Sequence, residues 1–234
     1  VNTHLGIKLR NKEGGSRLTL NNYIPTGTKA MTNLPSDELA KGVEKLLNKF
    51  TLNMNYFQSL SKDEFNKELN KLVEKNDFVQ IEDMNSLSNV SGYYIMVLDA
   101  YCQIYIGISK NIKRRIMEHW STQIPLSQLL LTTEGWSIPI DCFRALDTTR
   151  VFICCGNEEN FSDDHMSNMM REDLLIYRFP VDYCLNIATF WGSPETHLER
   201  LKSVELKDLK IYGTSPLTRV IELREEFANR RGIK

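Results

Sequence analysis

The spacing of apolar residues changes along the chain, and each change marks a different kind of element. Leu39, Val43, Leu46, Leu47 and Phe50 recur at helical spacing after Ser36-Asp37-Glu38. Phe65, Leu69, Leu72 and Val73 do the same after Ser61-Lys62-Asp63-Glu64, a start resembling a capping box. Two amphipathic helices with polar outer faces are therefore predicted, as scaffold for a downstream core or as a recognition or oligomerisation unit. The next apolar runs are short. Tyr94-Ile95-Met96-Val97-Leu98 and Gln103-Ile104-Tyr105-Ile106 have strand character, and Asp99 to Cys102 joins them as a hairpin loop. Gly107 is expected to break the second strand, and Ser109 to cap a helix running through His119. On that helix Ile112, Ile116 and Trp120 repeat every fourth residue and face the sheet, while Arg115 and His119 share an adjacent face.

Arg150-Val151-Phe152-Ile153-Cys154-Cys155 reads as a third, buried strand. A polar loop from Gly156 to Asp164 comes after it, then a helix from about Asp164 to Tyr177 that stops before Phe179-Pro180. Before the two amphipathic helices, Leu5 to Leu9 and Arg17 to Leu20 flank Asn11-Lys12-Glu13-Gly14-Gly15, as a hairpin or an extended arm. Residues 121–148, with Leu126, Leu129, Leu130, Leu131 and Trp136, are too long for an ordinary connection. They would line a groove or elaborate the packing. Beyond Pro194, helices are expected from Glu195 to Leu209 and from Pro216 to about Phe227.

Composition narrows the classes. A chain of 234 residues with 41% hydrophobic and 25% charged positions can bury a core, which excludes an intrinsically disordered chain. No apolar run approaches the roughly 20 residues that span a bilayer, and the first fifteen residues lack the apolar core of a secretory signal. Cys102, Cys142, Cys154, Cys155 and Cys184 are odd in number and without C-x-x-C spacing, arguing for reduced thiols rather than a disulfide framework or zinc site. A cytoplasmic protein with no membrane partner is the expectation. The net charge of -1 is not the footprint of a strongly basic nucleic-acid binder. Basic residues are nonetheless clustered at Lys110, Lys113, Arg114 and Arg115, and again at Arg230, Arg231 and Lys234, and local clusters suffice for phosphate. Glu158, Glu159, Asp163 and Asp164 lack the periodicity of a calcium loop and read as a solvated turn. His4, His165 and His197 match no motif and are assigned to surface or packing.

One ordered set of residues carries more than this. Gly92-Tyr93-Tyr94, then Tyr105-Ile106-Gly107, then Arg115 and His119 closely resemble the motifs of the GIY-YIG nuclease family. That family has a G-x-Y strand, a Y-[IV]-G strand and a helix carrying R-x-x-x-H. The resemblance covers about half the chain. It implies an α+β fold, a small three-stranded antiparallel sheet flanked by helices, over a core at 78–190 with the insertion at 121–148. Residues 1–77 become an N-terminal arm and helical extension, and 191–234 a C-terminal helical extension. The resemblance also implies a metal-binding glutamate followed by Leu-Ile and a bracing asparagine. Glu172, in Arg171-Glu172-Asp173-Leu174-Leu175-Ile176, and Asn186, in Leu185-Asn186-Ile187, stand in those places, with Asp173 a competing carboxylate.

The implied activity is endonucleolytic hydrolysis of DNA. Tyr94 would be the general base, Tyr105 would help place the attacking water, and Arg115 would meet the non-bridging oxygens. His119 would partner the tyrosine. Glu172 would bind magnesium, with manganese as an alternative, and Lys110, Lys113 and Arg114 would hold the DNA backbone. Restriction, phage defence or mobile-element biology would use such an enzyme, its flanks recognising the target or holding a homodimer. Two readings from other classes stand beside it: a catalytically silent DNA-binding or regulatory module on the same fold, and a protein-interaction scaffold built on the N-terminal helices.

Overall fold

The computed structural model describes residues 3–9, 16–25, 35–131, 138–155 and 165–186. The chain begins with a small hairpin, β1 (Thr3–His4) against β2 (Ile7–Lys8), and a helical turn α1 (Leu20–Tyr23). The hairpin turns at Leu5-Gly6, so Ile7-Lys8 pairs back onto Thr3-His4 and not with Arg17 to Leu20. Two long helices come next, α2 (Ser36–Ser59) and α3 (Lys62–Lys75). Ser61 Oγ accepts from Glu64 N–H to cap α3, the role its position before the apolar stripe suggests.

The central sheet is four-stranded and antiparallel, with order β3-β6-β4-β5. Its strands are β3 (Val79–Ile81), β4 (Gly92–Leu98), β5 (Gln103–Ser109) and β6 (Arg150–Cys155). The expected sheet had three strands. The fourth, β3, is a short edge strand whose three residues are largely exposed, so it carries no apolar signature in the sequence. The hairpin β4–β5 closes through a tight turn at Asp99–Tyr101, with Cys102 at φ 50°. Gly107 does not break β5, which continues to Ser109, with Gly107 paired to Tyr94. The helix after it, α4 (Ile112–Ser121), is capped by Asn111 rather than Ser109, whose hydroxyl instead accepts from Asn111 N–H.

All seven residues of β4 are buried, because both faces of the sheet are covered. One face packs Tyr94, Met96, Leu98, Val151 and Ile153 against Leu46, Phe50 and Phe57 of α2 and Ile112, Ile116 and Trp120 of α4. The other packs Tyr93, Ile95, Val97, Phe152 and Cys154 against Phe65, Leu69 and Leu72 of α3. The two N-terminal helices thus lie on opposite faces of the sheet and share its cores.

Among its described residues, the long segment between α4 and β6 forms α5 (Leu126–Leu131) and two single turns at Ile140–Cys142 and Ala145–Asp147. Ile138, Ile140, Phe143 and Ala145 are buried in the first core, so much of the segment is packing. Beyond β6, Leu175 and Ile176 of the last described helix, α6 (His165–Arg178), join the second core. The result is a mixed α/β sandwich of helix, sheet and helix. Asp147, fully buried, accepts from Leu18 N–H, Arg144 N–H and Tyr101 Oη, each at 2.8 Å, and ties the N-terminal arm to the sheet. His4 packs on Trp120 and bonds the Thr148 carbonyl, a packing role. All five cysteines are free thiols, and among the described residues no helix is long and apolar enough to cross a membrane. The acidic loop at 156–164, Trp136, His197, the expected C-terminal helices and the basic cluster Arg230, Arg231 and Lys234 lie outside the described residues.

Candidate functional site

Strand register brings the tyrosines together. Tyr94 pairs with Gly107 and Met96 with Tyr105, so Tyr94 and Tyr105 project from the same face on adjacent strands. Their ring centroids are 6.3 Å apart. Gly107 is required by this arrangement: a Cβ there would lie 2.4 Å from both Cζ and the hydroxyl of Tyr94. The glycine is the floor on which the Tyr94 ring lies.

Helix α4 crosses that face. With Ile112 and Ile116 anchoring it to the sheet, Arg115 and His119 come down beside the tyrosines. Tyr94 Oη lies 3.0 Å from His119 Nε2, and the Tyr105 ring stands edge-on to the imidazole at 5.0 Å. The Arg115 guanidinium stands beside both phenols, where it acts to lower their pKa, and lies 3.6 Å from Glu118. Burial pushes the pKa of Tyr94 well above its ordinary value, and Tyr105 adds to the rise. The Arg115 guanidinium opposes it by charge and by hydrogen bond. Tyr105 is raised for the same first reason, burial, with the Glu172 carboxylate next and Arg115 again opposing.

Glu172 comes from α6, which packs along β5. Its charge reaches both phenols. Its neighbour Asp173 is buried, whereas Glu172, the carboxylate preferred for its offset to Leu175-Ile176, is partly exposed. Asn186 lies along the outer edge of β5. It receives the Ile106 N–H at 2.8 Å on Oδ1 and donates through Nδ2 to the Ile106 carbonyl at 2.6 Å. The backbone continues the same ladder at Leu185 N–H to Ile104 carbonyl, 2.9 Å. A side-chain amide thus substitutes for a strand and fixes β5 between Tyr105 and Gly107.

Asp141 is the member that motif spacing missed. Its Oδ1 is 2.7 Å from His119 Nδ1, completing a line Asp141–His119–Tyr94. His119 is 1% exposed, whereas the Asp141 side chain is 25% exposed. Asp141 sits in the turn after Pro139, within the long segment between α4 and β6, where no periodicity announces it. Only the tertiary fold brings it to His119.

The three expected DNA contacts are distributed differently. Lys110 and Arg114 are exposed, but Arg114 pairs with Glu118 and Lys113 donates to Asn85 at 2.8 Å. Lys113, Arg114, Asn89 and Asn111 line a shallow cleft of 490 Å³ beside α4. Arg115 is the cation that faces the tyrosines.

Among the described residues no group of three or more His, Cys, Asp or Glu side chains is placed to hold a metal ion. A single carboxylate such as Glu172 suits a hard cation that takes its other ligands from water and phosphate. No protein family, no curated protein and no solved structure matches this chain.

Proposed function

We propose that the chain is a divalent-metal-dependent endonuclease of the GIY-YIG type that hydrolyses DNA phosphodiester bonds. The observation that carries this reading is the convergence of Tyr94, Tyr105, Arg115 and His119 on one face, with the Glu172 charge in reach. These residues come from two strands and two helices, and they differ from a packing cluster in one respect: Tyr94 Oη meets His119 Nε2 at 3.0 Å, with the Tyr105 ring beside them and the Arg115 charge acting on both phenols.

Each residue then has a task. Arg115 offers planar donors to non-bridging phosphate oxygens, where charge accumulates as water attacks. Tyr94 receives a proton from that water while its own proton moves to His119. Tyr105, across the strand pair, limits where the water can stand. Asn186 keeps β5 from sliding. Glu172 would hold magnesium or manganese, which when bound draws charge from the phosphate and steadies the leaving oxygen. Lys110 and the cleft beside α4 would take backbone phosphates further from the cut. Cytoplasmic DNA is the proposed partner, in restriction, phage defence or mobile-element biology, with homodimerisation through the flanks.

A second reading is favoured by one observation: Tyr94 and His119 are each 1% exposed, which suits a structural cluster in a DNA-binding module that does not cut. Supercoiled and branched DNA incubated with magnesium separates the two. The expected result is cleavage by the parent and a loss of about a hundredfold or more in Glu172→Ala, with DNA affinity retained. Binding without cleavage by the parent would leave the silent module, and cleavage confined to RNA would change the substrate but not the chemistry.

A further inference from the structure

We propose that Asp141 is a positioning residue that sets the tautomer of His119, and so decides whether Tyr94 can act as a base. The inference rests on the hydrolytic reading of the site. His119 has both ring nitrogens engaged, Nδ1 with Asp141 at 2.7 Å and Nε2 with Tyr94 at 3.0 Å. A carboxylate only accepts, so Nδ1 carries the hydrogen, and in the neutral imidazole Nε2 then presents its lone pair to the Tyr94 hydroxyl. Tyr94 then donates to His119, leaving its oxygen lone pairs for Arg115 and for the hydrogen of an attacking water.

The reverse tautomer disables this. With hydrogen on Nε2, the imidazole would donate to Tyr94 and could accept nothing from it. In the hydrolytic step the water oxygen bonds to phosphorus as the bond from phosphorus to the leaving oxygen breaks. One water proton passes to Tyr94 Oη, and the Tyr94 proton passes to His119 Nε2. The imidazolium is held by the Asp141 carboxylate, and the leaving oxyanion takes a proton from solvent. Burial makes the assignment consequential. Both ring nitrogens of the buried His119 are already engaged, so its tautomer follows from Asp141 and Tyr94, whereas the 25% exposure of Asp141 gives its carboxylate contact with solvent.

The test pairs a spectroscopic readout with kinetics. Imidazole ¹⁵N NMR of the full chain, with His119→Gln to assign the signal, should place the hydrogen on Nδ1. Asp141→Asn, whose amide can donate to Nδ1, should move it to Nε2 and lower kcat on DNA about a hundredfold at unchanged KM. Asp141→Glu should restore the Nδ1 tautomer and part of kcat, and the melting temperatures should show all three variants folded. If the parent cleaves and Asp141→Asn cleaves equally, or keeps the hydrogen on Nδ1, the proposal is overturned while the nuclease reading stands. If the parent cleaves no nucleic acid although the tautomer tracks Asp141, the hydrolytic reading fails. The proposed role falls with it, leaving only a structural hydrogen bond.

Discussion

Gly107→Ala should cost far more than a methyl group in a strand ordinarily does. Strands tolerate alanine at a cost of tenths of a kcal/mol, and Gly107 has ordinary strand backbone. The cost comes from across the hairpin. The new Cβ would meet Tyr94 Cζ and Oη at 2.4 Å, against an ordinary contact of 3.4 Å or more, so one of them must retreat by about 1 Å. The Tyr94 ring is 1% exposed and held between the sheet and α4, so it cannot swing into solvent. Overpacking of this kind costs about 1–3 kcal/mol. Disturbing the 3.0 Å contact with His119 adds about 1 kcal/mol. A total of roughly 2–4 kcal/mol lowers the melting temperature by on the order of 10 °C in a chain of this size. Thermal melts of Gly107→Ala, Tyr94→Leu and the double variant give the assay. Leucine does not reach the Cζ position, so Gly107→Ala should be nearly neutral in that background, with a coupling of about 2–4 kcal/mol, the whole cost seen in the parent. Equal melting of Gly107→Ala and the parent, or strict additivity in the cycle, would refute the placement of Tyr94 over the glycine.

Two further outcomes are expected. Asn186→Leu should destabilise the chain by about 2–5 kcal/mol, because the Ile106 N–H and carbonyl are left unsatisfied at a buried edge; amide exchange at Ile106 should rise with it, and unchanged protection would count against the bracing role. Alkaline pH should unfold the protein. Burial pushes the Tyr93 phenol up to about 12, and burial raises Tyr94 and Tyr105 as well. A raised folded pKa means the native state holds its proton while the unfolded phenol, near 10, releases it. Stability is therefore complete below about pH 10 and falls above it by up to ~1.4 kcal/mol per pH unit for each such phenol. Phenolate absorbance from these three side chains appearing at pH 10 without loss of structure would contradict it.

The sequence determined the elements whose signal is local. The stripes of α2 and α3, the Ser61 cap, the apolar runs of β4, β5 and β6, and the end of α6 before Phe179-Pro180 all arise from periodicity and turn chemistry acting over a few residues. The sharing of one α4 face by Arg115 and His119 was legible too, since the four-residue helical repeat is a short-range rule, whereas strand register put Tyr94 and Tyr105 on a common face. Tertiary structure decided the rest. β3 is a strand because β6 offers it an edge, not because Val79-Gln80-Ile81 demands one. Gly107 reads as a breaker in isolation, yet it stays within β5 because the partner strand places a tyrosine ring above it. Asn111 took the helix cap from Ser109, whose hydroxyl serves the preceding turn. Asp141 and Asp147 have no local signature at all, and each acquires its partners only when the segment after α4 folds back onto the sheet. Local sequence sets the period of an element and the face it buries. Which charged group meets which imidazole depends on contacts between residues far apart in the chain, and no window of sequence contains them.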